Sequence, residues 1–213
     1  MGTTDLRSLL ATFADAFPHV LLFTTVTDAD LIMLGSEEPV VPDLDVVTQR
    51  LAIPAIGDDL ARIGVKEAHD VLPLILLDRE SILAVAGDAP LNTDDNVRIE
   101  FSAPMHLHYS TQERNSELLL GAGRGAWPLY RDEFTDDGAA ADFLTQLGEA
   151  LERRALWVRA AVAYRDALEL RPARSELRER IARIRNLLAD AVRQEAEAAA
   201  REDRDRRART GGR

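Results

Sequence analysis

The N-terminal hydrophobic pattern is that of an amphipathic helix followed by two short strands. Five apolar residues recur at the spacing of one helix face before Pro18 interrupts the pattern: Leu6, Leu9, Leu10, Phe13 and Phe17. Two apolar runs follow, residues 19–26 and 31–34, with an Asp-Ala-Asp turn between them and Gly35 after the second. The pattern predicts a helix and then an antiparallel strand pair at the end of a larger sheet.

The pattern then becomes helical with frequent interruptions. Between residues 43 and 86 helical spacing is broken by two prolines and two glycines, which predicts several short helices: Pro54, Gly57, Gly64 and Pro73. Residues 97–102 alternate apolar and polar side chains and predict a third strand, and residues 111–119 predict a helix opened by a Thr111 hydroxyl cap. Three short strands are too few for a doubly wound sheet. We therefore expect these residues to be the C-terminal part of an α/β domain.

Charge divides the chain into two parts. The protein has 213 residues and a net charge of −11. Residues 1–148 carry 25 acidic and 9 basic side chains, whereas residues 149–213 carry 12 and 17. Such asymmetry is typical of two units with different surfaces. Glycine, proline and aspartate cluster between the two parts, and we expect a first region at residues 1–120 and a linker at residues 121–138.

Composition excludes several classes of function. The acidic excess argues against a protein that coats nucleic acid. There is no cysteine, which removes disulfides, thiolate nucleophiles and cysteine-ligated zinc from consideration. No apolar run approaches the roughly 18 residues of a membrane span, and the N-terminus lacks the features of a secretory signal. We expect a soluble cytoplasmic protein without a membrane span.

Several segments of the first region resemble the C-terminal part of spermidine synthase-like proteins, which are polyamine aminopropyltransferase relatives. The segments are F-P-H-V-L-L at residues 17–22, D-L-I-M-L-G-S at 30–36, D-L-A-R-I-G-V at 59–65, A-P-L-N-T-D-D-N at 89–96, E-F at 100–101 and A-P at 103–104. In that family a T-D-D motif a few residues before an acidic position closes the catalytic domain. The similarity extends over about residues 5–120.

The resemblance implies a Rossmann-type methyltransferase-like fold and aminopropyl transfer from decarboxylated S-adenosylmethionine to putrescine. It also implies that the glycine-rich nucleoside loop, the ribose-binding acid and the loop with the catalytic aspartate lie upstream of Leu6. We therefore expect this chain alone to bind no adenosyl cofactor, and its catalytic residues stay unassigned. Transfer would require a separate nucleoside-binding half.

Asp94, Asp95 and Glu100 are the candidate substrate-binding residues. Two adjacent aspartates in a turn, with a glutamate on the predicted strand that follows, could form a pocket for a cationic diamine, in which like charges would raise one pKa. The alternative is local, because Asn, Thr and Asp side chains also cap backbone groups in turns. Both readings stay open at this point.

Two other motifs each allow a functional interpretation and a purely structural one. The L-L-L-G-A-G-R-G segment at residues 118–125 resembles a nucleotide-binding loop, but no strand candidate follows it, which favours a flexible linker. His106 and His108 could face one side of a strand as metal ligands, but no third ligand has suitable spacing. His19 and His69 are isolated and favour structural roles. We expect no metal site.

Residues 141–174 resemble one tetratricopeptide (TPR) repeat of 34 residues. Two small residues would let a pair of helices approach, an aromatic ring would fill the gap between them, and a proline would stop the second helix. Eight positions carry the resemblance: Leu144, Leu147, Gly148, Leu151, Ala160, Tyr164, Ala167 and Pro172. Trp157, on the second helix, could be core or a stacking surface for a neighbour.

Beyond the repeat the chain predicts one long helix. A stripe of Leu177, Ile181, Ile184, Leu188 and Val192 indicates a capping helix or a coiled-coil partner. We place the TPR-like hairpin and this helix at residues 139–194. Residues 195–213 form a charged tail whose arginines alternate with acids, which favours a solvated helix fraying into disorder over nucleic-acid binding.

The sequence therefore predicts an α/β remnant followed by an all-α hairpin and a long C-terminal helix. Because one repeat is fewer than the about three that stand alone, the hairpin is expected to lean on the first region, on a copy of itself or on a protein partner. The two functional hypotheses are a spermidine synthase-like C-terminal portion and a non-catalytic TPR-type interaction module.

Overall fold

The computed structural model of the protein describes residues 1–25, 30–102 and 111–210, with side chains described through residue 201. These residues are mostly helical and contain one small antiparallel sheet. The chain divides into two compact units, Met1–Thr135 and Asp136–Arg213. In the described ranges, no helix is both long enough and apolar enough to cross a membrane.

The first unit alternates short helices with three strands. Its elements in chain order are α1 (Thr3–Ala16), β1 (His19–Thr24), β2 (Leu31–Ser36), α2 (Leu44–Leu51), α3 (Pro54–Ala61), a 3₁₀ helix (Ala68–Leu74), β3 (Ile75–Leu77), α4 (Arg79–Ala86), α5 (Arg98–Ser102), α6 (Gln112–Ala122), α7 (Trp127–Tyr130) and a 3₁₀ turn (Arg131–Glu133). The helix before the strand pair and the short helices after it agree with the sequence pattern. The segment predicted as a linker contains α7 and the 3₁₀ turn.

The sheet has the order β2-β1-β3, with both pairs antiparallel. Leu22 of β1 lies opposite Met33 of β2 and opposite Leu77 of β3. The predicted antiparallel pair of β1 and β2 is therefore confirmed. β3 was not predicted, because its three apolar residues continue a stretch whose spacing is otherwise helical.

The core of the first unit lies between α1, α4 and the central strand. Leu6 and Leu10 on α1 pack in one cluster with Leu22 of β1, Leu77 of β3 and Ile82 of α4, and all five are buried. Since α1 presents its apolar face to this cluster, burial is what orients the helix. The predicted α1 stripe is confirmed at Leu6 and Leu10 and, with partly buried rings, at Phe13 and Phe17, whereas Leu9 is half-buried.

Gly35 sits where β2 passes beneath α1. A Cβ atom at this position would overlap the Phe17 ring and lie 2.9 Å from Cε1 of Phe13. The two phenyl rings are 5.0 Å apart between centroids. The close approach of strand and helix therefore requires a residue without a side chain at position 35.

Residues 97–102 do not form the predicted strand. Arg98–Ser102 is helical, and the Ser102 hydroxyl oxygen lies 2.9 Å from the Arg98 carbonyl oxygen one turn earlier. Six alternating residues are too short a run to distinguish a strand from one turn of helix with a polar side. Here a tight turn at residues 93–96 precedes the segment and no neighbouring described strand pairs with it.

The helix predicted at residues 111–119 is present as α6, but its N-terminal cap differs from the expectation. Thr111 is the capping residue, and its side chain makes no capping hydrogen bond. Its hydroxyl instead donates to the Met1 carbonyl oxygen (2.6 Å). Thr111 therefore ties the start of α6 to the N-terminus of the chain.

The second unit contains three helices, α8 (Asp137–Arg153), α9 (Trp157–Leu170) and α10 (Ser175–Thr210). The Asp136 carboxylate accepts a hydrogen bond from the Ala139 amide (2.9 Å) and caps α8. Ala155, with φ of 57°, turns the chain between α8 and α9. The predicted hairpin and long C-terminal helix are confirmed as helices.

Candidate functional site

Asp94 and Asp95 occupy the tip of a tight turn. The Asn96 amide donates to the Thr93 carbonyl oxygen (2.9 Å), and these two residues form an isolated bridge that closes the turn. Both aspartates are exposed. The turn therefore presents two adjacent carboxylates to solvent.

Hydrogen bonds to α1 anchor the segment that leads into this turn. The Ser8 hydroxyl donates to the Pro90 carbonyl (2.5 Å), and the Asn92 amide donates to the Thr12 hydroxyl (2.8 Å). The Asn92 side-chain oxygen in turn accepts from the Ile99 amide at the start of α5 (3.2 Å). Asn92 therefore fills the local structural role that turn chemistry predicts, while the two aspartates do not.

Glu100 lies on α5 and not on the predicted strand; it follows the turn directly and is exposed. At the end of the same helix, the Ser102 hydroxyl donates to the Asp5 carboxylate (2.7 Å), which ties α5 to the first turn of α1. Asp94, Asp95 and Glu100 form no ion pair within the described residues. They are free to receive ammonium groups, but each lies at the surface and is not desolvated.

A separate cavity of about 210 Å³ opens beside the first residues of β1. Its charged wall comes from the start of α4. The Asp78 carboxylate there accepts from the Ser81 amide (2.9 Å), and Glu80 pairs with Arg124 (2.6 Å). Arg79 donates to the Ala14 carbonyl (3.3 Å). Each of these charged side chains already has a protein partner, and apart from His19 the other lining residues are apolar.

The glycine-rich segment at residues 118–125 does not have the geometry of a nucleotide-binding loop. Its first part is the end of α6, so the glycines follow a helix and not a strand. A Cβ atom on Gly123 would lie 2.9 Å from the Leu76 carbonyl oxygen, and Gly125 has φ of 65°. These glycines permit close packing and a turn at the end of α6.

The histidine candidates fall into two groups. His106 and His108 lie outside the described residues. Within the described ranges, no group of three or more His, Asp or Glu side chains is placed to hold a metal ion. His19 begins β1 and lines the cavity, and His69 lies in the 3₁₀ helix and has an interaction partner.

In the second unit, most of the eight positions that carry the TPR resemblance are buried. Seven of these residues are buried: Leu144, Leu147, Gly148, Leu151, Ala160, Tyr164 and Ala167. Pro172 is exposed and follows the end of α9, as a helix-terminating residue does. Trp157 is only partly buried.

Tyr164 fills the space that Gly148 leaves between α8 and α9. A Cβ atom on Gly148 would overlap the tyrosine ring and lie 2.8 Å from its Cζ. The ring is fully buried, and its hydroxyl accepts a hydrogen bond from Arg180 of α10 (2.9 Å). Burial raises the pKa of Tyr164 to about 12 despite the opposing effect of the Arg180 hydrogen bond.

Arg180 connects all three helices of the second unit. Its guanidinium lies 5.5 Å from the centroid of the Tyr164 ring and donates to Glu149 of α8 (2.8 Å). One turn further along, Arg183 pairs with Glu152 (3.0 Å). Sequence reasoning missed this network. The available signal was the match between two basic positions three apart on α10 and two acidic positions three apart on α8.

The apolar stripe predicted on α10 is only partly used. Leu177 and Ile184 are buried, Ile181 and Leu188 are half-buried, and Val192 is 66% exposed. From residue 189 to residue 201 every described side chain is exposed. The first half of α10 therefore packs as a capping helix, and the second half extends away from the hairpin.

Comparison of the chain with protein-family models, with curated proteins and with solved structures finds no match.

Proposed function

We propose that the protein is the C-terminal portion of a spermidine synthase-like protein joined to a TPR-type hairpin, and that this chain acts by binding a protein partner and not as a self-sufficient enzyme. The first unit then corresponds to the end of a Rossmann-type methyltransferase-like domain. In this proposal β1 and β2 form the antiparallel end of a larger sheet.

The packing of Tyr164 against Gly148 carries the interaction part of the proposal. A TPR-type hairpin needs a small residue on the first helix and an aromatic ring on the second, and these two residues meet as that packing requires. Such hairpins generally act in protein association through stacked helices. The single hairpin here, with α10 leaning on α9, supports association with a further protein surface.

A second candidate function is aminopropyl transfer in a complex with a separate nucleoside-binding half that binds decarboxylated S-adenosylmethionine. The observation that favours it is the exposure of Asp94, Asp95 and Glu100 in one connected segment without ion-pair partners among the described residues. Three carboxylates attract a diamine cation, and a second protein surface over them would supply the desolvation that proton removal needs. Asp94, Asp95 and Glu100 would then bind the diamine.

Affinity purification with two matched variants tests the interaction proposal. Gly148→Leu forces a side chain into the Tyr164 ring and opens the hairpin, whereas Gln146→Leu adds the same side chain on the exposed side of α8. We expect the wild-type chain and Gln146→Leu to retain the same partner protein and Gly148→Leu to lose it. Circular dichroism of each variant measures how much helix remains.

Two outcomes of this experiment contradict the interaction proposal. Retention of the same partner by Gly148→Leu, with the hairpin unfolded, places binding outside the second unit. Recovery of no partner by the wild-type chain under conditions that preserve native complexes removes the basis for an interaction module. Addition of both putrescine and decarboxylated S-adenosylmethionine to the recovered complex tests the second candidate, which predicts formation of spermidine with release of methylthioadenosine.

A further inference from the structure

The strand β2 has the composition of an interior strand but lies at the sheet edge. Four consecutive apolar residues begin it, so both of its faces are hydrophobic, as is typical of strands that are covered on both sides. Among the described residues it pairs only with β1. Leu31 is 41% exposed, Ile32 56% and Leu34 41%. Long exposed apolar edges are uncommon in folded proteins, because they attract further strands.

The register identifies which backbone groups of β2 face outward. The Thr25 amide donates to the carbonyl of Asp30, the residue directly opposite it, so this pair is of the hydrogen-bonded type. Hydrogen-bonded and non-hydrogen-bonded pairs alternate along an antiparallel ladder. The amide and carbonyl groups of Leu31, Met33 and Gly35 therefore point away from β1, along the outer edge. This row of donors and acceptors matches an extended polypeptide.

Negative charge brackets this edge. Asp30 precedes β2, while Glu37 and Glu38 follow it, and all three are exposed. None of them forms an ion pair within the described part of the chain. Between Arg7 and Arg50 the sequence contains no lysine or arginine. The edge is therefore apolar at its centre and uniformly acidic at both ends.

We propose that the outer edge of β2 is a docking site for a β-strand of another polypeptide, with an apolar centre and lysine or arginine at both ends. Backbone hydrogen bonds to Leu31, Met33 and Gly35 hold the incoming strand, and Asp30, Glu37 and Glu38 select its basic flanks. This is β-strand addition, in which main-chain bonds supply affinity and side chains supply specificity. The proposal does not depend on the function of either unit.

Charge disfavours a second copy of this chain as the occupant. In an antiparallel pair of β2 strands, Asp30 of one copy faces Glu37 and Glu38 of the other at both ends. A parallel pair places each acid beside its own equivalent. Like charges juxtaposed across an interface disfavour the wrong partner, whereas a basic-flanked strand meets opposite charge at each end.

Fluorescence anisotropy with the full chain and labelled synthetic peptides tests the proposal. The probe has alternating valine and threonine at four central positions and two lysines or arginines at each end. One control peptide carries glutamates in place of the basic residues, and another is N-methylated at alternate central amides. We expect the basic peptide to bind at least tenfold more tightly than either control, because the controls lose the charge match or the backbone bonds.

Protein variants identify the edge that binds. The double variant Asp30→Lys/Glu38→Lys changes two carboxylates that make no side-chain hydrogen bond among the described contacts, and it should reverse the preference toward the glutamate-flanked peptide. Leu31→Pro removes one outward amide without touching the ladder to β1. It should bind the basic peptide about fivefold more weakly than Leu31→Ala, which keeps that amide, in line with about 1 kcal/mol for one hydrogen bond.

Three results overturn the proposal. The first is no binding of the basic peptide to the wild-type chain. The second is equal binding of the N-methylated peptide, which would show attraction by charge alone without strand pairing. The third is a dimer of the wild-type chain in sedimentation velocity that Leu31→Pro dissociates and Leu31→Ala does not, since a second copy would then occupy the edge.

Discussion

Gly148 and Tyr164 occupy a single packing space between α8 and α9, with the tyrosine ring filling the volume where a side chain at position 148 would lie. The same ring receives the Arg180 hydrogen bond on its hydroxyl. Contacts among all three helices of the second unit therefore converge on Tyr164. This convergence determines which substitutions should disturb the unit most.

Gly148→Ala should destabilise the second unit by about 1–3 kcal/mol, because one methyl group must displace a buried ring from a packed interior. Urea unfolding followed by circular dichroism measures the change. Gly121→Ala is the control, since no atom lies within 4 Å of a Cβ at position 121 on α6. That variant should be neutral or more stable by about 0.5–1 kcal/mol. A Gly148→Ala protein as stable as wild type would contradict this packing.

The free energy of unfolding should fall at high pH, because the Tyr164 hydroxyl ionises. Burial raises its pKa from 10.0 to about 12, so the unfolded chain loses this proton before the folded chain does. The stabilising contribution is complete below pH 10 and disappears as the pH rises toward 12. Urea midpoints measured from pH 8 to pH 11.5 should decline less steeply for Tyr164→Phe than for wild type.

Tyr130 is a second buried tyrosine that should contribute to the loss of stability at high pH. Burial, together with Glu133 and Asp43, raises its pKa well above the ordinary value, and its hydroxyl donates to the Pro42 carbonyl. Tyr164→Phe should therefore keep part of the alkaline decline, and the double variant with Tyr130→Phe should lose most of it. Identical pH profiles for wild type and Tyr164→Phe would mean that the Tyr164 hydroxyl is accessible to solvent.

Arg180→Ala should cost about 1–2 kcal/mol, because it removes a partly buried ion pair, a hydrogen bond and a contact with the face of an aromatic ring. Thermal unfolding should show a smaller loss of stability for Arg180→Ala at about 1 M salt than at low salt, because salt screens the ion pair. Arg193→Ala is matched to it, since Arg193 pairs with Asp190 on the exposed part of α10. Arg193→Ala should change the free energy of unfolding by no more than about 0.5 kcal/mol. If both variants lose the same free energy of unfolding, the contacts of Arg180 with α8 and α9 do not stabilise the unit more than an exposed ion pair does.

Asp5→Ala should destabilise the first unit by about 1–3 kcal/mol. The Asp5 carboxylate is buried, accepts from the Gly2 amide (3.2 Å) and the Ser102 hydroxyl (2.7 Å), and so connects α1 to α5. Asp15→Ala, at an exposed position near the other end of α1, is the control and should change stability little. Chemical unfolding monitored by tryptophan fluorescence distinguishes the two variants. If Asp5→Ala leaves the free energy of unfolding unchanged, the hydrogen bonds to the Asp5 carboxylate do not stabilise the first unit.

Local patterns in the sequence predicted much of the helical structure. The α1 stripe is correct at Leu6 and Leu10, and the spacing from Leu144 to Ala167 identified which positions of the hairpin are buried. Such patterns succeed because a helix places residues three and four apart on the same face. Burial of that face then follows from local spacing alone.

Contacts between distant residues account for what the sequence did not predict. β3 exists because Ile75 pairs with Phe23 of β1, a partner with no local signature. In the candidate site, Asp94 and Asp95 were identifiable by type and position. Their anchoring was not, since the Thr12 hydroxyl bonds the Asn92 amide across 80 residues of sequence. These long-range bonds fix the segment that leads into the turn against α1.

Isothermal titration of the chain with decarboxylated S-adenosylmethionine, and separately with methylthioadenosine, tests whether the chain binds the adenosyl group without a second half. We expect no binding heat at ligand concentrations up to about 1 mM, which corresponds to less than about 4 kcal/mol of binding free energy. Saturable binding of either compound with a dissociation constant in the micromolar range would contradict it, because the chain would then hold a complete nucleoside site of its own.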